Sequence, residues 1–293
     1  MGKYLLAEDD GLPIREFGDW AKEKIFYVNK YINTVSKAMW KKGWRKINYI
    51  ELFSGSGKFK IMNKDEIVLG SPLTALTIPF PFTDYYFVEK DINCLANLQT
   101  RCSETSIPKE SIHFFKGDAN TTVKYIVNEI LEIDKEKTSG KWQSFNLAFL
   151  DPDGLELRWE TVQELARVNK MDLIIHYSQQ GIRRNADRAI KTENETKIDR
   201  FFGDKKWRRI YEGCKNDPTG ILRPLIDYYK SKLNALGYVK VQDNEEILVE
   251  PLMKNSMNAP LYRLLFASKN PLGLKFWKDN TKVGLDGQLP LWK

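Results

Sequence analysis

A mostly parallel α/β sheet of about seven strands, with helices on both faces, is the fold this sequence predicts. Three observations carry that expectation. Strand-like and helix-like runs alternate through the middle of the chain, a Gly-rich turn follows the first buried run, and carboxylates end four consecutive strand-like runs.

The chain opens, after a short polar start, with a Lys-rich run that predicts a helix over about 18–42, so residues 1–46 read as an N-terminal helical extension. "INYIELF" (47–53) is the first strand. "SPLTALTI" (71–78) opens a helix with Ser71 as N-cap and Pro72 in its first turn. "DYYFVEK" (84–90) gives the second strand, 92–101 a helix, and "SIHFFKGD" (111–118) the third strand. Over 120–133, Val123, Ile126, Val127 and Ile130 recur at the spacing of one helical face. "SFNLAFLD" (144–151), a helix over 156–168 and "MDLIIHYS" (171–178) complete five strands, making 47–180 the core. Residues 181–218 read as a basic helical insertion. Residues 219–293 continue the same sheet, with a helix over 224–237 stopped by Gly237, strands near 238–242, 246–252 and 260–268, and a short basic tail helix.

Composition narrows the class. With 42% hydrophobic residues and scattered Gly and Pro, the chain is ordered. No apolar run reaches the ~18 residues that span a bilayer, and the N-terminus lacks a signal-peptide core, so a cytoplasmic location is expected. Cys94, Cys102 and Cys214 are odd in number and lack C-x-x-C spacing, and His113 and His176 are the only histidines. No metal site and no disulfide framework are expected. The net charge of +7 is concentrated: 181–215 carries eleven Lys or Arg against six Asp or Glu, and 14–47 nine against three. Such segments suit a phosphate backbone or a pair of solvated helix faces.

The "GSGK" of "ELFSGSGKFK" is not a nucleoside-triphosphate loop, because Leu52 stands at the first Gly position and Phe59 where the hydroxyl belongs. It fits [DE]-x-F-x-G-x-G, the first motif of class I S-adenosylmethionine (SAM) methyltransferases, through Glu51, Phe53, Gly55 and Gly57. Gly55 and Gly57 let the backbone approach a cofactor, while Glu51 either anchors the loop or reaches the cofactor's ammonium. Glu89, followed by Lys90, ends the second strand where ribose hydroxyls are accepted, a device shared with NAD sites. A NAD-dependent oxidoreductase is disfavoured because no catalytic Tyr-x-x-x-Lys or His-Asp pair is expected beside a first loop that lacks the third Gly of G-x-G-x-x-G.

Asp118 and Ala119 end the third strand, at the adenine position. The fourth ends in Asp151-Pro152-Asp153-Gly154, similar to the D-P-P-Y and D-P-x-G turns of enzymes that methylate exocyclic amino groups of bases. In such turns the carboxylate orients the amino lone pair toward the methyl group. Asp151, Pro152 and Asp153 are therefore the expected catalytic turn, with Asp151 also bordering the cofactor. His176 and Ser178 at the fifth strand tip, and Arg183 and Arg184 beyond it, are expected substrate contacts; His113, inside a strand, is expected to be structural.

Taken together, "YIELFSGSGKFK", "LGSPLTAL", "FVEKD", "LAFLDPDGLELRWETVQELA", "DLIIHYSQQGIRRN" and "PLYRLLFASKNPLGLKFW" resemble the three-Cys-motif partner proteins, which are themselves similar to class I SAM methyltransferases. The resemblance implies a Rossmann-like sheet and SAM as cofactor. It also implies a companion protein similar to radical SAM enzymes, whose three cysteines are not those of this chain. Two functions follow from it: methyl transfer to a base amino group of a nucleic acid, or a non-catalytic role beside the companion. The chain departs from D-P-P-Y enzymes in having Asp153-Gly154 where an aromatic residue would stack on a flipped base, and in lacking an obvious DNA-reading module.

Overall fold

The structure, a computed structural model, describes residues 4–135, 143–217, 221–239, 250–285 and 287. In chain order its strands are β1 (Tyr4–Leu6), β2 (Pro13–Phe17), β3 (Lys46–Glu51), β4 (Lys58–Ile61), β5 (Ile67–Leu69), β6 (Asp84–Glu89), β7 (Ile112–Lys116), β8 (Ser144–Leu150), β9 (Met171–Tyr177), β10 (Leu252–Lys254) and β11 (Pro260–Ala267). The helices are α1 (Trp20–Lys42), α2 (Ser71–Leu76), α3 (Ile92–Ser103), α4 (Ala119–Lys135), α5 (Trp159–Ala166), α6 (Gln179–Ala189), α7 (Lys197–Phe202), α8 (Lys206–Cys214), α9 (Arg223–Ala235) and α10 (Pro271–Thr281).

Seven strands form one sheet in the order β10-β11-β9-β8-β3-β6-β7. Its strands run parallel except β11, which is antiparallel to both β9 and β10. The chain leaves β3 toward β6 and β7, then returns to place β8 on the other side of β3. The carboxyl ends of β3 and β8 therefore flank a topological switch point, where a crevice opens in open α/β sheets.

β8 and β9 are buried at every position, which is why their sequences read as unbroken apolar runs. Alternate residues feed two cores. Ile50, Val88, Leu150 and Ile175 pack with Val123 of α4, Val162 of α5 and Tyr229 of α9 on one face. Tyr49, Phe87, Phe149 and Phe266 pack with Tyr31 of α1, Leu73 of α2, Leu98 of α3 and Trp277 of α10 on the other.

A second sheet, β1-β2-β4-β5, corrects the reading of 1–46 as purely helical and adds two strands between the Gly-rich turn and α2. Phe59 and Ile61 of β4 turn inward onto Ala21 and Ile25 of α1, beside Phe17 and Val68, while Lys58 and Lys60 alternate with them. Runs of three to five residues are too short for a period of two to stand out in sequence. At α2 the N-cap is Gly70 rather than Ser71, which lies inside the first turn.

The insertion is three helices, α6 to α8. Thr196 and Asp199 form a capping box at the start of α7, and Phe201, Phe202 and Trp207 join the first core, so the segment is an integral part of the fold. The strands expected near 238–242 and 246–252 fall largely on residues 240–249, outside the described residues. Among the described residues no helix is long and apolar enough to cross a membrane.

Candidate active site

A cavity of about 1070 Å³ lies over the carboxyl ends of β3, β6, β7 and β8. The Gly-rich turn forms one wall. Gly55 (φ 62°) and Gly57 (φ 90°) are left-handed, a backbone other residues enter only with strain. A Cβ on Gly57 would stand 2.9 Å from Leu98 Cδ1, whereas one on Gly55 would meet nothing within 4 Å, so the turn packs tightly behind and is open at Gly55. The Gly57 carbonyl accepts the Gly70 N–H at 2.7 Å, joining the turn to the N-cap of α2.

Glu51 is 1% exposed and does not line the cavity. It accepts hydrogen bonds from Ser71 Oγ at 2.5 Å and Tyr49 Oη at 3.0 Å, so of its two expected roles the structure gives it that of anchor. Burial pushes its carboxyl up to about 8; the nearby charge of Asp151 adds to this, and the Ser71 and Tyr49 hydroxyls and Lys24 oppose it.

Glu89 receives the Gly55 N–H on Oε2 and the Asp91 N–H on Oε1, both at 2.9 Å. Each carboxylate oxygen retains a further lone pair for a ligand hydroxyl. Lys90 beside it is exposed on the cavity wall. Across the opening, Asp118 precedes α4 and accepts the N–H and side-chain N–H of Asn120 on Oδ1, at 2.8 and 2.9 Å, leaving Oδ2 without a hydrogen bond among the described residues. Ala119 is buried in the same wall. Asn120 also accepts the Arg158 N–H at 2.9 Å and donates to the Glu156 carbonyl at 3.0 Å, which fixes the loop before α5 against the start of α4.

The Asp151-Pro152-Asp153 turn lines the cavity between β8 and α1. Asp151 is held by two side chains: Lys24 Nζ of α1 on Oδ2, and His176 Nδ1 of β9 on Oδ1 at 2.9 Å. Burial works to raise the Asp151 carboxyl, but Lys24 and His176 outweigh it and bring it down to about 2, so the group is ionised at neutral pH. The His176 ring stacks on Tyr262 of β11 with centroids 3.9 Å apart, and Lys24 Nζ lies 5.8 Å from the centroid of the same Tyr262 ring. Tyr262 Oη is buried without a hydrogen-bond partner among the described residues. Tyr262→Phe is therefore expected to leave stability unchanged or to raise it by about 1–2 kcal/mol, because it removes an unsatisfied buried hydroxyl and keeps the ring; urea unfolding measures this. Asp153 is exposed and pairs with Arg15 Nη1 of β2 at 2.8 Å.

The small sheet and the first turns of α1 roof this cavity through Arg15, Phe17, Trp20 and Lys24. The roof is fastened to the Gly-rich turn by a buried ion cluster. Arg101 of α3 holds both oxygens of Asp10, at 2.8 and 3.1 Å, and the Ser56 carbonyl at 2.6 Å. Lys58, the lysine of "GSGK", spends its ammonium on Asp9 and Asp10 at 2.5 and 2.8 Å, consistent with a structural rather than a phosphate-binding role. The Arg101 side chain next to Asp10, aided by Lys58, overcomes burial and holds the Asp10 carboxyl well below the usual range.

Of the residues expected from sequence, Phe53, Gly55, Gly57, Glu89, Lys90, Asp118, Ala119, Asp151, Pro152, Asp153, His176 and Ser178 all line one cavity. Arg183 and Arg184 do not: they are exposed on the outer face of α6, because Ile182 and Ala186 take its buried face. Lys197 and Arg200 of α7 line the cavity instead, paired with Glu156 at 3.4 Å and Glu195 at 3.0 Å. Arg208 likewise folds back onto Asp199 at 2.6 Å, so the basic track expected along the insertion is interrupted. Sequence reasoning missed Lys24, Tyr262 and Arg15. No local pattern marks them, since the contacts are long-range: Lys24 and Asp151 are 127 residues apart. His113, expected to be structural, lies 3.2 Å from Asp84, stacks on Tyr86 and does not line the cavity. Among the described residues no group of three or more His, Cys, Asp or Glu is arranged to hold a metal ion.

No protein-family model and no curated protein matches this chain. Solved structures that follow a similar path include protein LPL1258 of Legionella pneumophila, of family DUF519, at 12% identity over 90% of this chain and 94% of that one, with a TM-score of 0.44. Another is the plantazolicin methyltransferase BpumL, in complex with a triazolic desmethylPZN analog and SAH, at 9% identity over 84% and 85% of the two chains, with a TM-score of 0.29.

Proposed function

We propose that the protein is a SAM-dependent methyltransferase with a nucleic-acid base as acceptor. The observation that carries this reading is the meeting, at the switch point of a mostly parallel sheet, of a left-handed Gly turn open at Gly55 with the carboxylates of Glu89 and Asp118 in one cavity. The donor set fits SAM. Glu89 has lone pairs left for ribose hydroxyls, the unused Oδ2 of Asp118 suits an adenine amino group, and the Gly55 backbone leaves space for the amino acid part. When bound, SAM supplies a methyl group already activated on a sulfonium, so the protein's contribution is to position, desolvate and remove a proton.

Nucleic acid as substrate is supported by the exposed Lys90 and Arg158 on the cavity wall, with Lys197 and Arg200 beside them. The acceptor that an Asp-Pro turn suggests, an exocyclic amino group held by Asp151, would have to displace Lys24 or share its oxygen.

Isothermal calorimetry with SAM and with S-adenosylhomocysteine tests the cofactor. Binding is expected, weakened in Glu89→Ala by about 1–3 kcal/mol through loss of a charged acceptor that also braces the Gly55 N–H. No heat at millimolar ligand sinks the proposal. Methyl transfer from tritiated SAM to DNA, tRNA and rRNA identifies the acceptor.

A second reading, a non-catalytic methyltransferase-like partner of a radical SAM-like three-Cys-motif protein, is favoured by one observation: Asp151 is already satisfied on both oxygens by the chain's own side chains. A preparation that binds no SAM yet co-purifies with that companion would favour it.

A further inference from the structure

Asp151 is the residue a base-methylating turn would offer to its acceptor, yet in this fold it is spent on two other side chains. Lys24 is a donor only, and an ionised carboxylate is an acceptor only, so the Asp151 contact with His176 has one assignment: Nδ1 carries the proton and donates it to Oδ1. The opposite nitrogen, Nε2, has no hydrogen-bond partner among the described residues. His176 is 7% exposed, lines the cavity, and is held in plane by the Tyr262 ring stacked 3.9 Å away. A carboxylate on Nδ1 and a stacked ring are what fix an imidazole in the tautomer that presents a lone pair from Nε2.

We propose that His176 Nε2 is the general base of this site, that Asp151, Lys24 and Tyr262 are its positioning residues, and that the acceptor is the weakly acidic ring imino N–H of a base rather than an exocyclic amino group held by Asp151. This rests on the methyl-transfer reading. The acceptor X–H gives its proton to Nε2, and the electron pair of that bond forms X–CH₃. The electron pair of the broken carbon–sulfur bond stays on sulfur, so the positive charge leaves the sulfonium and appears on the imidazolium, beside the Asp151 carboxylate that stabilises it. Among the described residues, the charged and titratable groups around His176 are Asp151 from the end of β8, bonded to Nδ1, Tyr262 from β11, stacked on the ring, and Lys24 from α1, bonded to the other oxygen of Asp151; Glu23 of α1 acts on Tyr262.

The chain has two histidines, which makes the test direct. In protein labelled with ¹⁵N-histidine, two-bond proton–nitrogen spectra read which ring nitrogen is protonated, and His113→Gln assigns the remaining ring to His176. Nδ1 of the neutral His176 ring should be protonated and Nε2 should bear the lone pair. Asp151→Asn should invert this, because Lys24 claims the amide oxygen and leaves the NH₂ to donate to Nδ1, which moves the proton to Nε2. In methyl transfer from tritiated SAM to tRNA and rRNA, His176→Gln and Asp151→Asn should each lower kcat by about 10²–10⁴-fold with acceptor KM and SAM affinity unchanged. A neutral wild-type ring protonated at Nε2, or full turnover in His176→Gln, overturns the inference and leaves methyl transfer standing. A wild type that binds neither SAM nor S-adenosylhomocysteine and transfers nothing sinks methyl transfer itself, and the inference with it.

Discussion

Arg101→Ala is expected to destabilise the protein by about 3–5 kcal/mol, the cost of removing one partner from a buried ion pair and leaving the other behind. The Arg101 side chain is 1% exposed and holds Asp10 through two nitrogens, with the Ser56 carbonyl on a third bond. Its loss leaves Asp10 with Lys58 and the Leu12 N–H, and leaves Ser56 without this donor at the Gly-rich turn. Urea unfolding measures the loss, and hydrogen exchange of residues 4–17 should speed up more than that of β8 or β9. The depressed Asp10 carboxyl sets the pH window. A lowered folded-state value contributes stability above about pH 4, where the unfolded group is ionised, and that stability is lost as pH falls further. In Arg101→Ala this acid limb should flatten. Unchanged stability together with an unchanged acid limb would show that the cluster does not fasten the roof.

Glu51→Gln should do the opposite in alkaline solution and raise stability. The Glu51 carboxyl moves from an ordinary value of 4.5 to about 8 on folding, so the folded state binds its proton more tightly than the unfolded state does. Stability from this group is fully present below pH 4.5 and is lost as pH rises to about 8. Gln keeps an acceptor for Ser71 Oγ and stays neutral. The variant should lie within about 1 kcal/mol of the wild type near pH 5 and exceed it at pH 9 by on the order of 5 kcal/mol. Urea unfolding at the two pH values measures the difference. Equal stabilities at pH 9 would mean that Glu51 is ionised in the folded protein at little cost, and the burial argument would fail.

The large sheet was legible in sequence because its strands are buried on both faces: "SFNLAFL" and "MDLIIHY" admit few other readings. Glu89, Asp118 and Asp151 were legible because each ends such a run, and the ends of parallel strands converge. What stayed hidden is what depends on folding. Lys24 sits in an amphipathic helix among other lysines, and nothing local separates it from Lys22, which pairs with Glu66 on the small sheet's side. Arg183 and Arg184 follow directly on a strand tip, but helical phase, decided by where Ile182 finds its core, turns them outward. Ser71 looks like a cap, and only the tertiary position of Glu51 draws its hydroxyl elsewhere.

The Gly-rich turn joins two different sheets, since β3 lies inside the large one, between β8 and β6, and β4, beginning at Lys58, pairs in parallel with β2 in the small one. Residues 52–57 are therefore the covalent connection between the two sheets, with left-handed torsions at Gly55 and Gly57. A molecule gripping that turn and a force moving the small sheet act on the same few torsions, and linkage makes their influence mutual. If closing the small sheet tightens the grip tenfold, occupancy of the turn favours closure tenfold in return. The N-terminal strands and the turn would then influence one another, although the whole of α1 and β3 separates them in the chain.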